Sequence, residues 1–200
     1  EEKHVTYLPA YGAEMRGGTA NCTVTVSDKT IASPVGSYSN IGIFMNTPSF
    51  LKFQKQITKN GIVLLNSDLI ESRPSKRNST SFYCLWQSRR AEVRFIDIPA
   101  NTIAQKIGDI RIANIVMCGG LARATGLVSL DSLINGVKTI FKNKGSLVCD
   151  TNTQALIQGA LCIEEKGVCD ETIRSNYFLD PHADDVGLGG LGLLHRKAVC

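Results

Sequence analysis

Between residues 41 and 108 the chain alternates short apolar runs with segments that open like helices. "IGIFMN" (41–46) is apolar, and "TPSFLKFQKQI" follows it with Thr47 placed as a helix cap and Pro48 at the first helical position. "NGIVLLNS" (60–67) is a second apolar run bounded by a turn. "AEVRFIDIP" (91–99) is a third and leads into the helical "PANTIAQKIG". Strand, helix, strand, strand, helix in that order points to a parallel sheet with helices packed on it.

The flanks extend this pattern. "HVTYLP" (4–9) is rich in β-formers and reaches Pro9, and "ANCTVTVS" (20–27) alternates with period two, so both read as strands. From residue 110 onward the pattern is helical. "DIRIANIVMCGGLARATG" is apolar on nearly every face, which predicts a buried helix. "SLDSLINGVKTIFKNK" is amphipathic with a basic end, and "TNTQALIQGALCIEEKG" makes a further helix. The segment 71–90, "ESRPSKRNSTSFYCLWQSRR", is polar, basic and without a period, as expected of a surface excursion. Two hundred residues suffice for one well-buried domain and are short for two. The expectation is an α/β fold: a single Rossmann-like domain over 1–200, with a mostly parallel sheet, helices on both faces and a helical C-terminal part.

Several chemistries lack their residues. His4, His182 and His195 have no partner at metal-ligand spacing, and none of the seven cysteines forms a Cys-x-x-Cys pair, so neither a metal site nor an iron–sulfur loop is expected. The cysteines, as in "IVMCGG" and "ALCIEE", read as reduced thiols in apolar surroundings, with a Cys162–Cys169 disulfide or a redox-sensing thiol as alternatives. There is no Gly-x-Ser-x-Gly elbow, no phosphate-binding Gly-x-x-x-x-Gly-Lys loop and no His-Glu-x-x-His helix, hence no catalytic residue to assign. No run of ~18 apolar residues spans a membrane, and "EEKHVTY" lacks the layout of a signal peptide, which places the chain in the cytoplasm. A net charge of +4 suits a small anionic ligand or an acidic partner. Nucleic acid is not expected, because the basic residues are not interleaved with aromatics.

Two glycine-rich places remain. In "MRGGT", Gly17 and Gly18 free the backbone ahead of a strand while Arg16 supplies a planar cation, so that Arg16, Gly17, Gly18 and Thr19 can face an anion or another subunit. A tight turn with a surface arginine explains the same residues without a ligand. In "VGLGGLG", Gly187, Gly189, Gly190 and Gly192 match a dinucleotide fingerprint, yet only Val186 stands where the preceding strand belongs. A glycine-rich tail accounts for them equally.

"HVTYLPAYGAEMRGGTANCTVTVSD", then "IASP", "MNTPSFLKF", "NGIVLLNSDLI" and "IDIPANTIAQKIGDIRIANIVMCGGLARATGLVSLDSL", taken in that order, resemble the gamma subunit of the 2-oxoacid:acceptor (ferredoxin) oxidoreductases. That family includes the pyruvate, 2-oxoglutarate and branched-chain 2-oxoacid enzymes. The resemblance covers about residues 3–145, and "YGAEMRGG" is its most specific string.

The resemblance implies a thiamine-diphosphate enzyme that decarboxylates a 2-oxoacid, passes electrons through iron–sulfur clusters to ferredoxin and gives the acyl group to coenzyme A. The gamma part is then a Rossmann-like domain that binds neither thiamine nor cluster itself. Thiamine diphosphate, Mg and iron–sulfur clusters are expected in thiamine-binding alpha and beta subunits and a ferredoxin-like delta subunit, with coenzyme A at the gamma surface. Arg16 to Thr19 would meet a coenzyme A phosphate or a partner's carboxylate, although Glu14 equally offers Arg16 an internal ion pair. Asn46 and Asn114 match further family positions, as ligand contacts or as a turn cap and a buried backbone partner respectively. Departures stand beside these matches. Relatives open with a strand, a glycine loop and a helix that are missing here before "HVTY". The segment 180–200 resembles that unit, as a permuted first βα turn or as a chance match on a chain whose first strand lies outside the sequence. Arg73, Lys76, Arg77, Arg89 and Arg90 would dock ferredoxin or form a solvated loop. A free-standing module for coenzyme A or an adenine nucleotide is the alternative reading.

Overall fold

The structure is a computed structural model that describes residues 2–10, 20–33, 36–70, 92–165 and 196–199, the last by backbone alone. Six strands form one sheet: β1 (His4–Ala10), β2 (Asn21–Ser27), β3 (Ser39–Phe44), β4 (Ile57–Asn66), β5 (Arg94–Ile98) and β6 (Arg196–Val199). Their order across the sheet is β1-β2-β6-β3-β4-β5. β6, β3, β4 and β5 run parallel, while β2 is antiparallel to both β1 and β6. Three of the five pairings are therefore parallel, as the sequence pattern predicts.

The inner strands are apolar because both of their faces are covered. Along β4, Ile62 and Leu64 join one core, whereas Val63 and Leu65 join another on the opposite face. Helix α1 (Thr47–Phe53) covers the second face through Phe50 and Phe53, and Phe50 meets Phe44 of β3 edge-on with ring centres 5.3 Å apart. The first face carries α2 (Ala100–Ile107), α3 (Ala113–Thr125) and part of α5 (Ser146–Glu165); α4 (Leu130–Phe141) precedes α5 and packs against it. Alanines at 100, 104, 113, 124 and 155 let these helices sit close to Ile96 and Ile98. Helices thus lie on both faces, and α3 buries most of its circumference, as its uniform apolarity requires.

Boundaries shift in physically readable ways. β1 passes through Pro9, which costs no ladder bond on an edge strand. β4 begins at Ile57 rather than at the turn, because Asn60, with φ of 59°, kinks the strand where its register with β3 jumps from Ser39↔Ile57 to Ile41↔Ile62. The strand predicted at 41–46 shifts two residues toward the N-terminus, to Ser39–Phe44, and the one predicted at 91–99 contracts to Arg94–Ile98. β6 is the addition, since "RKAV" carries no strand pattern. Residues 71–90 lie outside the described residues.

Candidate functional site at the carboxyl edge of the sheet

In a parallel sheet, ligands are met where the strands end, because the following loops diverge there and leave a crevice. Here that edge is made by the ends of β3, β4 and β5. β1 is antiparallel to β2, which is antiparallel to β6, so β1 points the same way as β3. Ala10, the last residue of β1, and Asn21, the first of β2, therefore stand at this same edge. They are the anchors of the connection that contains Arg16, Gly17, Gly18 and Thr19; those four residues lie outside the described residues.

Asn46 follows β3 at this edge. Its Oδ1 accepts from Ser49 N–H at 2.9 Å, making Asn46 the cap of α1 and Thr47 the first helical residue. The cap predicted at Thr47 is thus one residue late, since asparagine is as good a cap and lies in extended backbone. Thr47 instead donates through Oγ1 to the Leu69 carbonyl at 3.0 Å, tying the loop after β3 to the loop after β4.

Asn66 ends β4 and is fully buried. Its Nδ2 donates to Asn101 Oδ1 at 3.0 Å and to the Met45 carbonyl at 3.4 Å, and its own carbonyl accepts from Leu69 and Ile70 N–H. One side chain therefore fastens the loops after β3, β4 and β5 together. Asp68 completes the rim: its carboxylate accepts from Thr102 N–H at 2.7 Å and from Thr102 Oγ1 at 2.9 Å. Pro99 gives α2 no side-chain cap, so Asp68 supplies one from the neighbouring loop and sets a negative charge at the positive end of the helix. Sequence reasoning misses Asn66 and Asp68 as rim residues. "NSD" signals a turn, but Asn101 and Thr102, which these side chains meet, lie more than thirty residues away.

Replacing Asn66 tests the rim directly. Asn66→Ala removes both donated bonds and leaves a cavity, with an expected loss of ~1–3 kcal/mol in urea unfolding. Asn66→Asp is expected to lose more, because a carboxylate would face two acceptors, the Met45 carbonyl and Asn101 Oδ1. An Asp variant as stable as wild type would contradict the assigned bonds.

Asn114 sits in the first turn of α3 with its side chain exposed, so it does not satisfy buried backbone, and no described hydrogen bond joins it to the rim. Gly187, Gly189, Gly190 and Gly192 lie outside the described residues; the strand after them, β6, enters the sheet from the opposite, amino edge. Cys118 of α3 carries a thiol whose pKa is raised, first by burial and then by the charge of Cys22 on β2. That disfavours the reactive thiolate. Cys169, the partner considered for Cys162, lies outside the described residues. No three of His, Cys, Asp and Glu stand together as a metal site among the described residues. No helix among them is long and apolar enough to cross a membrane.

The family profile described as pyruvate ferredoxin/flavodoxin oxidoreductase matches residues 1–162, every strand of the sheet except β6 included. The chain belongs to that family. It is similar to the ketoisovalerate oxidoreductase subunit VorA of Methanothermobacter thermautotrophicus, with 33% identity over 162 residues, 80% of this chain and 30% of the relative. The chain thus spans less than a third of that relative's length. Among solved structures, the gamma subunit of the keto/oxoacid ferredoxin oxidoreductase from Geobacter sulfurreducens shares the fold, with a TM-score of 0.60, 20% identity and 82% of each chain covered. The 2-oxoglutarate:ferredoxin oxidoreductase of Magnetococcus marinus, described with 2-oxoglutarate, coenzyme A and succinyl-CoA bound, shares it at a TM-score of 0.66 and 18% identity. That likeness covers 82% of this chain and 26% of the other.

Proposed function

We propose that the chain serves as one gamma-type domain of a 2-oxoacid:ferredoxin oxidoreductase and meets coenzyme A at the carboxyl edge of its sheet. The enzyme would decarboxylate a 2-oxoacid oxidatively to its acyl-CoA, in the cytoplasm, with ferredoxin as acceptor. Thiamine-binding alpha and beta subunits and a ferredoxin-like delta subunit would hold thiamine diphosphate, Mg and the iron–sulfur clusters.

One observation carries this reading. The family match covers the strands whose ends build the edge, and the string "YGAEMRGG" lies in the connection anchored there at Ala10 and Asn21. The traced rim network has Asp68 as its charged side chain, and Asp68 is committed to Thr102. An anionic ligand at this edge needs a cation, and Arg16 is the one the anchored connection contains. Five residues of extended chain from Asn21 reach at most ~17 Å, and β2 and β3 are two strand spacings, ~10 Å, apart. A chain of that length would let Arg16 meet a ligand at the Asn46 corner. Gly17 and Gly18 would let backbone N–H groups approach the same phosphate.

In this role the chain binds and orients, and its residues transfer no proton or electron. Coenzyme A, when bound, supplies the thiol that accepts the acyl group. Asn66 and Asp68 hold the three loops that shape the edge. The test is reconstitution with thiamine-binding and cluster-binding partners. Ferredoxin reduction that depends on 2-oxoacid and coenzyme A should appear only when this chain is present. Equal activity without it would remove the proposal, as would tight coenzyme A binding by the chain in the absence of every partner.

A further inference from the structure

The rim has a hydrogen-bond polarity that the backbone beneath it dictates. Asn66 is fully buried, and its amide is satisfied in one orientation: Oδ1 accepts from Asp68 N–H at 3.4 Å, and Nδ2 donates to the Met45 carbonyl at 3.4 Å. A reversed amide would set oxygen against that carbonyl and N–H against N–H. The other hydrogen of Nδ2 goes to Asn101 of α2, whose Oδ1 accepts it at 3.0 Å. That bond orients Asn101 in turn, with its acceptor inward and its Nδ2 donor outward. Asn46 has the same polarity, because Ser49 N–H takes its Oδ1. Neither outward Nδ2 has a partner among the described residues. Asn101 is half-buried, yet its Nδ2 is not one of the buried polar atoms left without a partner, so it reaches solvent.

Two oriented donors therefore stand at the carboxyl edge, one after β3 and one after β5, two strand spacings or ~10 Å apart across the end of β4. Their surroundings differ. Asn46 occupies the corner assigned above to Arg16 and phosphate. Asn101 adjoins Thr102, which the Asp68 carboxylate holds through both of its oxygens. An anion at Asn101 would meet like charge, more strongly as water leaves the contact. An uncharged carbonyl would not. Among the parts of coenzyme A, the pantetheine arm carries such carbonyls in its amides, whereas the adenine edge carries an amine that would face a second donor.

We propose that Asn101 binds the pantetheine arm of coenzyme A, its Nδ2 donating to an amide carbonyl of the arm. The proposal rests on the coenzyme A reading above and gives it a direction. The phosphates lie over β3, the arm crosses the end of β4, and the thiol end leaves past β5, the outermost strand on that side. Asn66 contributes from below by fixing which end of the Asn101 amide faces the ligand.

The test compares coenzyme A with 3′-phospho-ADP, which keeps the phosphates and lacks the arm, in the reconstituted complex. Asn101→Asp is the informative variant: it still accepts the bond from Asn66 and turns the outward donor into an acceptor. The KM for coenzyme A should rise by at least ~5–10-fold, while the inhibition constant of 3′-phospho-ADP stays within about twofold. Asn101→Ala, which adds no charge, should show the same split, and it carries the test if the Asp variant does not assemble. Arg16→Ala should instead weaken both ligands. An unchanged KM in both Asn101 variants, with Arg16→Ala still impaired, would overturn this proposal and leave the coenzyme A reading standing. Equal weakening of 3′-phospho-ADP in Asn101→Ala would also overturn it, by placing Asn101 at the phosphates. No change in any of the three variants would overturn both.

Discussion

Gly119→Ala is expected to lower the unfolding free energy by about 3 kcal/mol or more, and Gly159→Ala by a similar amount. The two glycines face each other across the α3–α5 crossing. A Cβ on Gly119 would lie 2.0 Å from the Leu156 carbonyl oxygen, and a Cβ on Gly159 would lie 2.0 Å from that of Val116. Backbone cannot turn aside as a flexible side chain can, so the helices must part. Helix propensity pulls the other way, favouring alanine by ~1 kcal/mol, and loses to an overlap of this size. Gly136 in α4 is the control, since a Cβ there meets nothing within 4 Å. Gly136→Ala should stabilise by up to ~1 kcal/mol. The Gly119→Ala/Gly159→Ala double variant should cost less than the sum of its singles, because one separation relieves both contacts. Chemical unfolding of the four variants settles the sign and the coupling.

The second large effect concerns function. In the reconstituted complex, Arg16→Ala is expected to raise the KM for coenzyme A by ~10–100-fold, the worth of a lost charge-assisted hydrogen bond, with kcat changed far less. Arg16→Lys should recover part of the loss, because an ammonium keeps the charge but not the planar fork. Gly18→Val should act in the same direction by keeping the backbone from the phosphate. An unchanged KM in all three would assign the arginine to a turn and leave coenzyme A to other chains.

Much of this fold is legible because the inner strands leave little choice. "IGIF" and "GIVLL" are apolar on consecutive positions because β3 and β4 are covered on both faces, and that same coverage forces the helices between them. The edge strand β1 and its neighbour β2 are legible through their β-branched residues. What sequence reasoning misses depends on contacts between distant segments. β6 hides because two of its four residues are basic, and its place in the sheet comes from β2 and β3 rather than from its own pattern. The rim hides for a similar reason: Asn66 and Asp68 look like turn residues until Asn101 and Thr102 are set beside them. The glycines of "MCGG" and "LIQG" look like weak points in two apolar helices, and only the crossing shows why a side chain is excluded.

If the carboxyl edge is the face that meets coenzyme A, hydrogen exchange of the assembled complex with and without coenzyme A should report it there. Slowed exchange is expected in the segment from Ala10 to Asn21 and around Asn46–Thr47, lost in Arg16→Ala. Slowed exchange confined to partner subunits, with both of these segments unchanged, would contradict it.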